Sequence, residues 1–135
     1  MIEMRELRKG NMVKCLSHLP IGYHVSSFPY TEIYEIKDNS VETEAGTHKY
    51  KDIAPIPLTE EILVKAGGLK LRENEYLFRD GDSDPIPISL LMESGMFYLG
   101  NNESKQSVRI SSVHHFQNLY YVLKGKEVFI DIKIM

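Results

Sequence analysis

Tryptophan is absent from this 135-residue chain, and cysteine occurs once, as Cys15. A lone thiol forms no internal disulfide, so the chain is no disulfide scaffold and fits a reducing compartment. Long apolar runs are missing as well. Stretches such as Leu90-Leu91-Met92 fall far short of the roughly 20 residues a membrane-spanning helix needs. Glu3 and Glu6 interrupt the first residues, so no signal-peptide core is expected there, and the expected location is cytoplasmic. Charge of one sign is also lacking. Lys and Arg number 16 against 19 Asp and Glu, a net charge of −3. That balance argues against coating nucleic acid or an anionic membrane by charge alone. No repeat, low-complexity tract, Walker loop, Rossmann fingerprint, nucleophile elbow or zincin motif occurs.

What is present is ordinary globular composition, 42% apolar and 26% charged, in a length suited to one domain or two small lobes. The clearest punctuation is Ala54-Pro55-Ile56-Pro57-Leu58-Thr59. Prolines at alternate positions dictate an extended connector. A boundary there divides the chain into residues 1–57 and 58–135, with net charges of −1 and −2.

Residues 1–57 read as β. Strands are expected at 12–16, 30–37, 41–44 and 47–50, with an exit strand from Ile53. A long loop at 17–29 and tight turns at 38–40 and 45–47 separate them. So many short strands in so few residues suggest a small, bent SH3-like β-barrel. An open meander packed on the second lobe is the alternative. Residues 58–135 are mixed. Thr59 reads as the N-cap of a short helix over 60–66, stopped by Gly67 and Gly68. Strands follow at 69–72 and 75–79, a loop at 80–87, and a hairpin of 88–92 with 96–99. A polar loop at 100–106 and a short strand at 107–110 come next. The strongest helix spans about 112–124, capped by Ser111 or Ser112 and stopped by Gly125. At 100° per residue, Val113, Phe116, Leu119, Tyr120 and Leu123 share its apolar side. Residues 127–134 alternate as a half-buried closing strand.

Few side chains form a chemical pattern. Asp80, Asp82 and Asp84 resemble the start of a calcium loop, but Pro85 and Leu91 stand where the glycine and bidentate glutamate are needed. Cys15, His18, His24 and His48 are borderline zinc ligands without paired spacing. Neither set assigns a metal, and no cofactor or catalytic residue is expected. His114 and His115 are consecutive on a helix, so they point about 100° apart. His114, Asn118 and Tyr121 recur at i, i+4 and i+7, with Gln117 beside them. That face suits recognition of a partner by hydrogen bonds, and a solvated helix face explains it equally well. Catalysis would require a pocket joining His114 and Tyr121 to an acid such as Glu93. Nucleic-acid binding would rest on Lys9, Lys14, Lys49 and Lys51 with Tyr23, Phe28, Tyr30, Tyr34 and Tyr50 as stacking platforms.

Three stretches, taken in order, carry a resemblance. They are residues 6–13 (ELRKGNMV), 55–63 (PIPLTEEIL) and 113–127 (VHHFQNLYYVLKGKE). Together they resemble a family of small uncharacterised, often prophage-associated proteins of gut Bacteroidetes. Ile62 stands where that pattern has tryptophan, and 17–29 looks like an insertion. The resemblance implies a cytoplasmic bacterial or phage setting and carries over no active site.

The expectation is therefore an α+β protein: an SH3-like N-terminal lobe, then a mixed lobe of short strands around one main C-terminal helix. Its expected role is a non-enzymatic protein-interaction module, binding a protein partner or a second copy and no membrane. His114, Gln117, Asn118 and Tyr121 are the candidate partner-binding residues. The alternative is a nucleic-acid-associated accessory protein using the N-terminal lobe.

Overall fold

A computed structural model of the chain describes residues 4–16, 30–79, 84, 87–100, 105–128 and 130. After a 3-10 turn at Met4–Glu6 come β1 (Met12–Cys15), β2 (Tyr30–Ile36), β3 (Ser40–Thr43) and β4 (Gly46–Lys49). A second 3-10 turn, Tyr50–Asp52, leads into β5 (Ile53–Ala54). Next are α1 (Glu60–Lys65), β6 (Leu69–Arg72), β7 (Glu75–Phe78), β8 (Ile88–Glu93), β9 (Met96–Gly100), β10 (Lys105–Ile110) and α2 (Val113–Lys124). The architecture is α+β with two antiparallel five-stranded sheets. Their orders are β4-β3-β2-β1-β5 and β10-β9-β8-β7-β6.

Local chemistry accounts for most of these boundaries. Thr59 accepts a hydrogen bond from the Ile62 amide at 3.2 Å, and Ser112 accepts one from His115 at 3.3 Å. Each side chain satisfies an amide that a helix start would otherwise leave unpaired. Gly125, at φ 74°, supplies the left-handed stop of α2. β8 and β9 turn through Ser94 and Gly95, both at positive φ, the backbone of a tight hairpin.

The first sheet is strongly curled. β1 and β4 are three strand spacings apart, roughly 14 Å in a flat sheet. Yet the Cys15 sulfur lies 3.7 Å from both ring nitrogens of His48. The Leu16 amide reaches the Asp52 carbonyl at 2.7 Å, extending the pairing of β1 with β5 by one residue. No ladder joins β4 to β5 among the described residues, so the sheet curls without the closed barrel expected from sequence. Its interior is a small core of Leu7, Val13, Ile33, Val41 and Ile53.

A larger core fills the space between the second sheet and the helices. Phe116 lies at its centre, 4.9 Å ring to ring from Phe78 and 6.1 Å from Tyr120. Met12 belongs to this core whereas Val13 belongs to the first, so β1 is a wall shared by both. The connector runs extended, burying Ile56 and Leu58 and exposing Pro55 and Pro57. It joins the start of α2 through a Pro57–Ser112 bridge and the Val113 amide on the Ile56 carbonyl at 2.9 Å. A buried ion pair between Lys124 and Asp84 ties down the other end of α2. The expected closing strand at 127–134 and the loop at 17–29 lie largely or wholly outside the described residues. Within the former, Val128 and Ile130 are buried in the larger core.

Gly68 has a close-approach role. A Cβ there would sit 2.7 Å from Phe78 Cζ and 2.8 Å from the Leu63 carbonyl oxygen. Gly68→Ala is therefore expected to cost about 1–3 kcal/mol by overpacking. Urea unfolding checks this, and an unchanged midpoint would refute the packing account.

Candidate functional site

Helix α2 presents His114, Gln117, Asn118 and Tyr121 towards the segment that enters β1. That segment is shaped by Asn11, which is fully buried. Its side-chain oxygen accepts the Arg8 amide at 2.7 Å, and its own backbone amide donates to the Arg8 carbonyl at 3.0 Å. The resulting turn exposes the Gly10 carbonyl and the Met12 amide to the helix.

Gln117 meets both. Its oxygen accepts from the Met12 amide at 2.8 Å, and its nitrogen donates to the Gly10 carbonyl at 3.2 Å. Asn118 accepts from Asn11 Nδ2 at 2.8 Å and Arg8 Nε at 3.1 Å, and donates to the Glu6 carbonyl at 2.9 Å. Arg8 then stacks its guanidinium over Tyr121, 4.3 Å from the ring centroid, and pairs with Glu127. Gln117 is only 4% exposed, whereas Tyr121 is 43% exposed. The structure thus brings all four candidate residues onto one face and gives each of them a partner inside the chain. Of the four, Tyr121 presents the most surface outward. Glu6, Arg8 and Asn11 could not be found from sequence, because 100° spacing along a helix says nothing about what lies opposite.

His114 completes the row. Its Nδ1 lies 3.2 Å from Ser112 Oγ, and its Nε2 lies 3.8 Å from Glu6 Oε1. Burial pushes its pKa below the usual histidine value, and the nearby Glu6 carboxylate opposes that only in part. A half-open cavity of about 330 Å³ lies here, lined by Arg5, Glu6, Ser111, Ser112, His115 and Asn118 beside His114. Hydroxyl, imidazole and carboxylate stand in the order of a nucleophile relay. However, the Ser112 oxygen caps α2 and is buried, so it offers no nucleophile to the cavity. The acid facing His114 is Glu6 rather than Glu93. Tyr121 lies seven residues along α2, about 10 Å away by helical rise, and does not line the cavity.

The remaining candidates separate. Cys15 and His48 meet, while His18 and His24 lie outside the described residues. Among the described residues no group of three or more His, Cys, Asp or Glu is arranged to hold a metal ion. Asp84 pairs with Lys124, and Asp80 and Asp82 lie outside the described residues. Lys9, Lys14, Lys49 and Lys51 are exposed. Tyr30 packs against the larger core, and the Tyr50 hydroxyl donates to the Lys37 carbonyl. Tyr23 and Phe28 lie outside the described residues. No helix among the described residues is long and apolar enough to cross a membrane.

Compared with known proteins, the chain matches no protein-family model, no curated protein and no solved structure.

Two outcomes follow from the geometry. Gln117→Leu leaves the Met12 amide and Gly10 carbonyl without their partner, at an expected cost of about 2–4 kcal/mol in denaturant unfolding; a loss below 0.5 kcal/mol (roughly the scatter of a neutral surface change) would contradict the seam. The second outcome concerns pH. Burial lowers the folded pKa of both His114 and His48 from the ordinary histidine value of 6.5. The unfolded chain therefore binds protons more readily, and stability falls as pH drops through and below that value. His114→Gln should flatten part of this slope between about pH 7 and 5, as read by thermal unfolding.

Proposed function

We propose that the chain is a non-enzymatic protein-interaction module, used in a bacterial or phage cytoplasm, that engages its partner through the edge strand β6. One observation carries this reading. All four residues of β6 are exposed, and two of them, Leu69 at 47% and Leu71 at 56%, are large and apolar. Val64, 51% exposed near the end of α1 just before β6, is a further large apolar side chain left uncovered. A strand edge offers unpaired amides and carbonyls to an incoming strand, and exposed leucines beside it supply the apolar contact.

The rest of the molecule supports this role. The polar face of α2, which had the right chemistry for recognition, is committed to holding the chain together. The first sheet curls and returns β5 beside β1 after a 3-10 turn. We read that strand order as SH3-like, a scaffold that serves many unrelated functions. It therefore supports a module and does not specify the partner.

Capture of partners from a lysate of the source cells, with and without nuclease, tests the proposal. Nuclease-resistant partners should be retained by the wild-type chain and weakened about 10-fold or more by Leu71→Glu, the loss expected for a central apolar anchor. Partners that vanish with nuclease, in a binding that falls steeply with salt, would replace this reading with nucleic-acid association. Retention unaffected by either Leu69→Glu or Leu71→Glu would remove β6 from it.

A further inference from the structure

We propose that the occupant of the β6 edge is β6 of a second copy of this chain, paired antiparallel across a two-fold axis. This rests on the reading of β6 as a docking edge and names what docks there.

Charge is the first argument. β6 carries two cations, Lys70 and Arg72, which ordinarily protect an edge from pairing. Here each has a carboxylate of its own. Lys70 is ion-paired with Glu60, and Arg72 Nε lies 3.9 Å from Glu75 Oε2. The edge is locally neutral, so neither an acidic nor a basic strand finds a charge to answer. A neutral, apolar strand is its complement, and the copy supplies one.

Register is the second. Leu69 stands opposite Leu77, and Lys70 opposite Tyr76, but Arg72 opposite Glu75. The shift makes Leu71 the extra residue of a bulge, facing Glu75 together with Arg72. Leu69 and Leu71 thus share the face of the sheet that carries Leu77. With Lys70 on the two-fold axis, Leu69 of each chain lies opposite Leu71 of the other. The two Lys70 ammonium groups meet near the axis, each held by its own Glu60. Cross-strand apolar pairs of this kind are the unit of sheet stabilisation.

Closure is the third. Pairing β6 with β6 uses the same patch on both chains and ends there. Pairing β6 with β10, at the other edge of the sheet, would leave one free edge at each end and grow without limit. The ladder is short because the bulge at Leu71 ends it. The resulting interface is small, in the range of weak and transient contacts, so the dimer forms only at high protein concentration.

Sedimentation velocity on the full chain from about 10 μM to about 1 mM tests the proposal at the weak end of association constants. The weight-average sedimentation coefficient should rise towards that of a dimer and stop there. Leu69→Lys and Leu71→Glu should each weaken self-association at least about 10-fold, with circular dichroism unchanged. Mixing the two variants should restore dimers. The ammonium introduced in one chain then opposes the carboxylate introduced in the other, while the remaining leucines still meet. The double variant Leu69→Lys/Leu71→Glu should self-associate again for the same reason. A wild-type chain that remains monomeric at the highest concentration overturns the proposal. If Leu71→Glu still abolishes capture of another protein, the interaction-module reading survives that failure. Self-association without rescue in the mixture overturns the register, and growth beyond the dimer overturns the two-fold pairing.

Discussion

The arrangement of the molecule depends on one side-chain amide. Gln117 uses its oxygen and nitrogen as a strand would use its backbone, accepting from Met12 and donating to Gly10. These two backbone groups stand at the entrance to β1, where no neighbouring strand reaches both. Burying them unpaired would be costly, since each lost hydrogen bond leaves a desolvated group behind. The amide therefore does more than add an attraction between two lobes. It makes the burial of the β1 entrance against α2 permissible. Asn11 and Asn118 extend the same network, and Arg8 closes it over Tyr121.

From that constraint the two cores follow. β1 places Met12 in the larger core and Val13 in the smaller, so a strand of four residues belongs to both sheets' interiors. Such a wall cannot shift to suit one core without disturbing the other, because packed interiors transmit small displacements. The connector reinforces the coupling: it bridges Pro57 to Ser112 and pairs Ile56 with Val113 at the other end of the seam. Stretches 6–13, 55–63 and 113–127, far apart in sequence, meet here. The consequence for function is a redistribution. Polar groups that look available on an isolated helix are committed internally, while large apolar side chains stay exposed on β6 at Leu69 and Leu71.

Much of the fold was legible in the sequence, for local reasons. Thr59, Ser112 and Gly125 act within a turn of their own positions, so their cap roles required no tertiary knowledge. The apolar side of α2 was legible because period 3.6 is fixed by the backbone; Val113, Phe116 and Tyr120 are buried as that period requires. What escaped depends on pairs distant in sequence. Cys15 and His48 stand together among the candidate metal ligands, but that these two meet, 33 residues apart, comes from the curl of a sheet and not from any spacing. The strand Lys105–Ile110 begins two residues earlier than its composition suggested, because pairing with β9 overrides weak local preference. Asn11 and Arg8 escaped for a sharper reason. Nothing in the turn Lys9-Gly10-Asn11 says that its amide will be sealed under a helix more than a hundred residues away.

β6 presents the opposite case, and it argues for function more directly than any motif. Its residues Leu-Lys-Leu-Arg alternate as a half-buried strand should, and on pattern alone the leucines belong in a core. Instead the second sheet ends at β6 among the described residues, and the pairing of β6 with β7 puts Leu69 and Leu71 on the face of Leu77, opposite the one that buries Tyr76. The cations that would normally discourage further pairing are neutralised by Glu60 and Glu75. A sequence under pressure only to fold and stay soluble would place polar residues at those two positions, since neither core among the described residues includes the leucines. Local pattern and burial disagree at this strand, and such disagreements concentrate at functional surfaces. Among the described residues, no contact reconciles them.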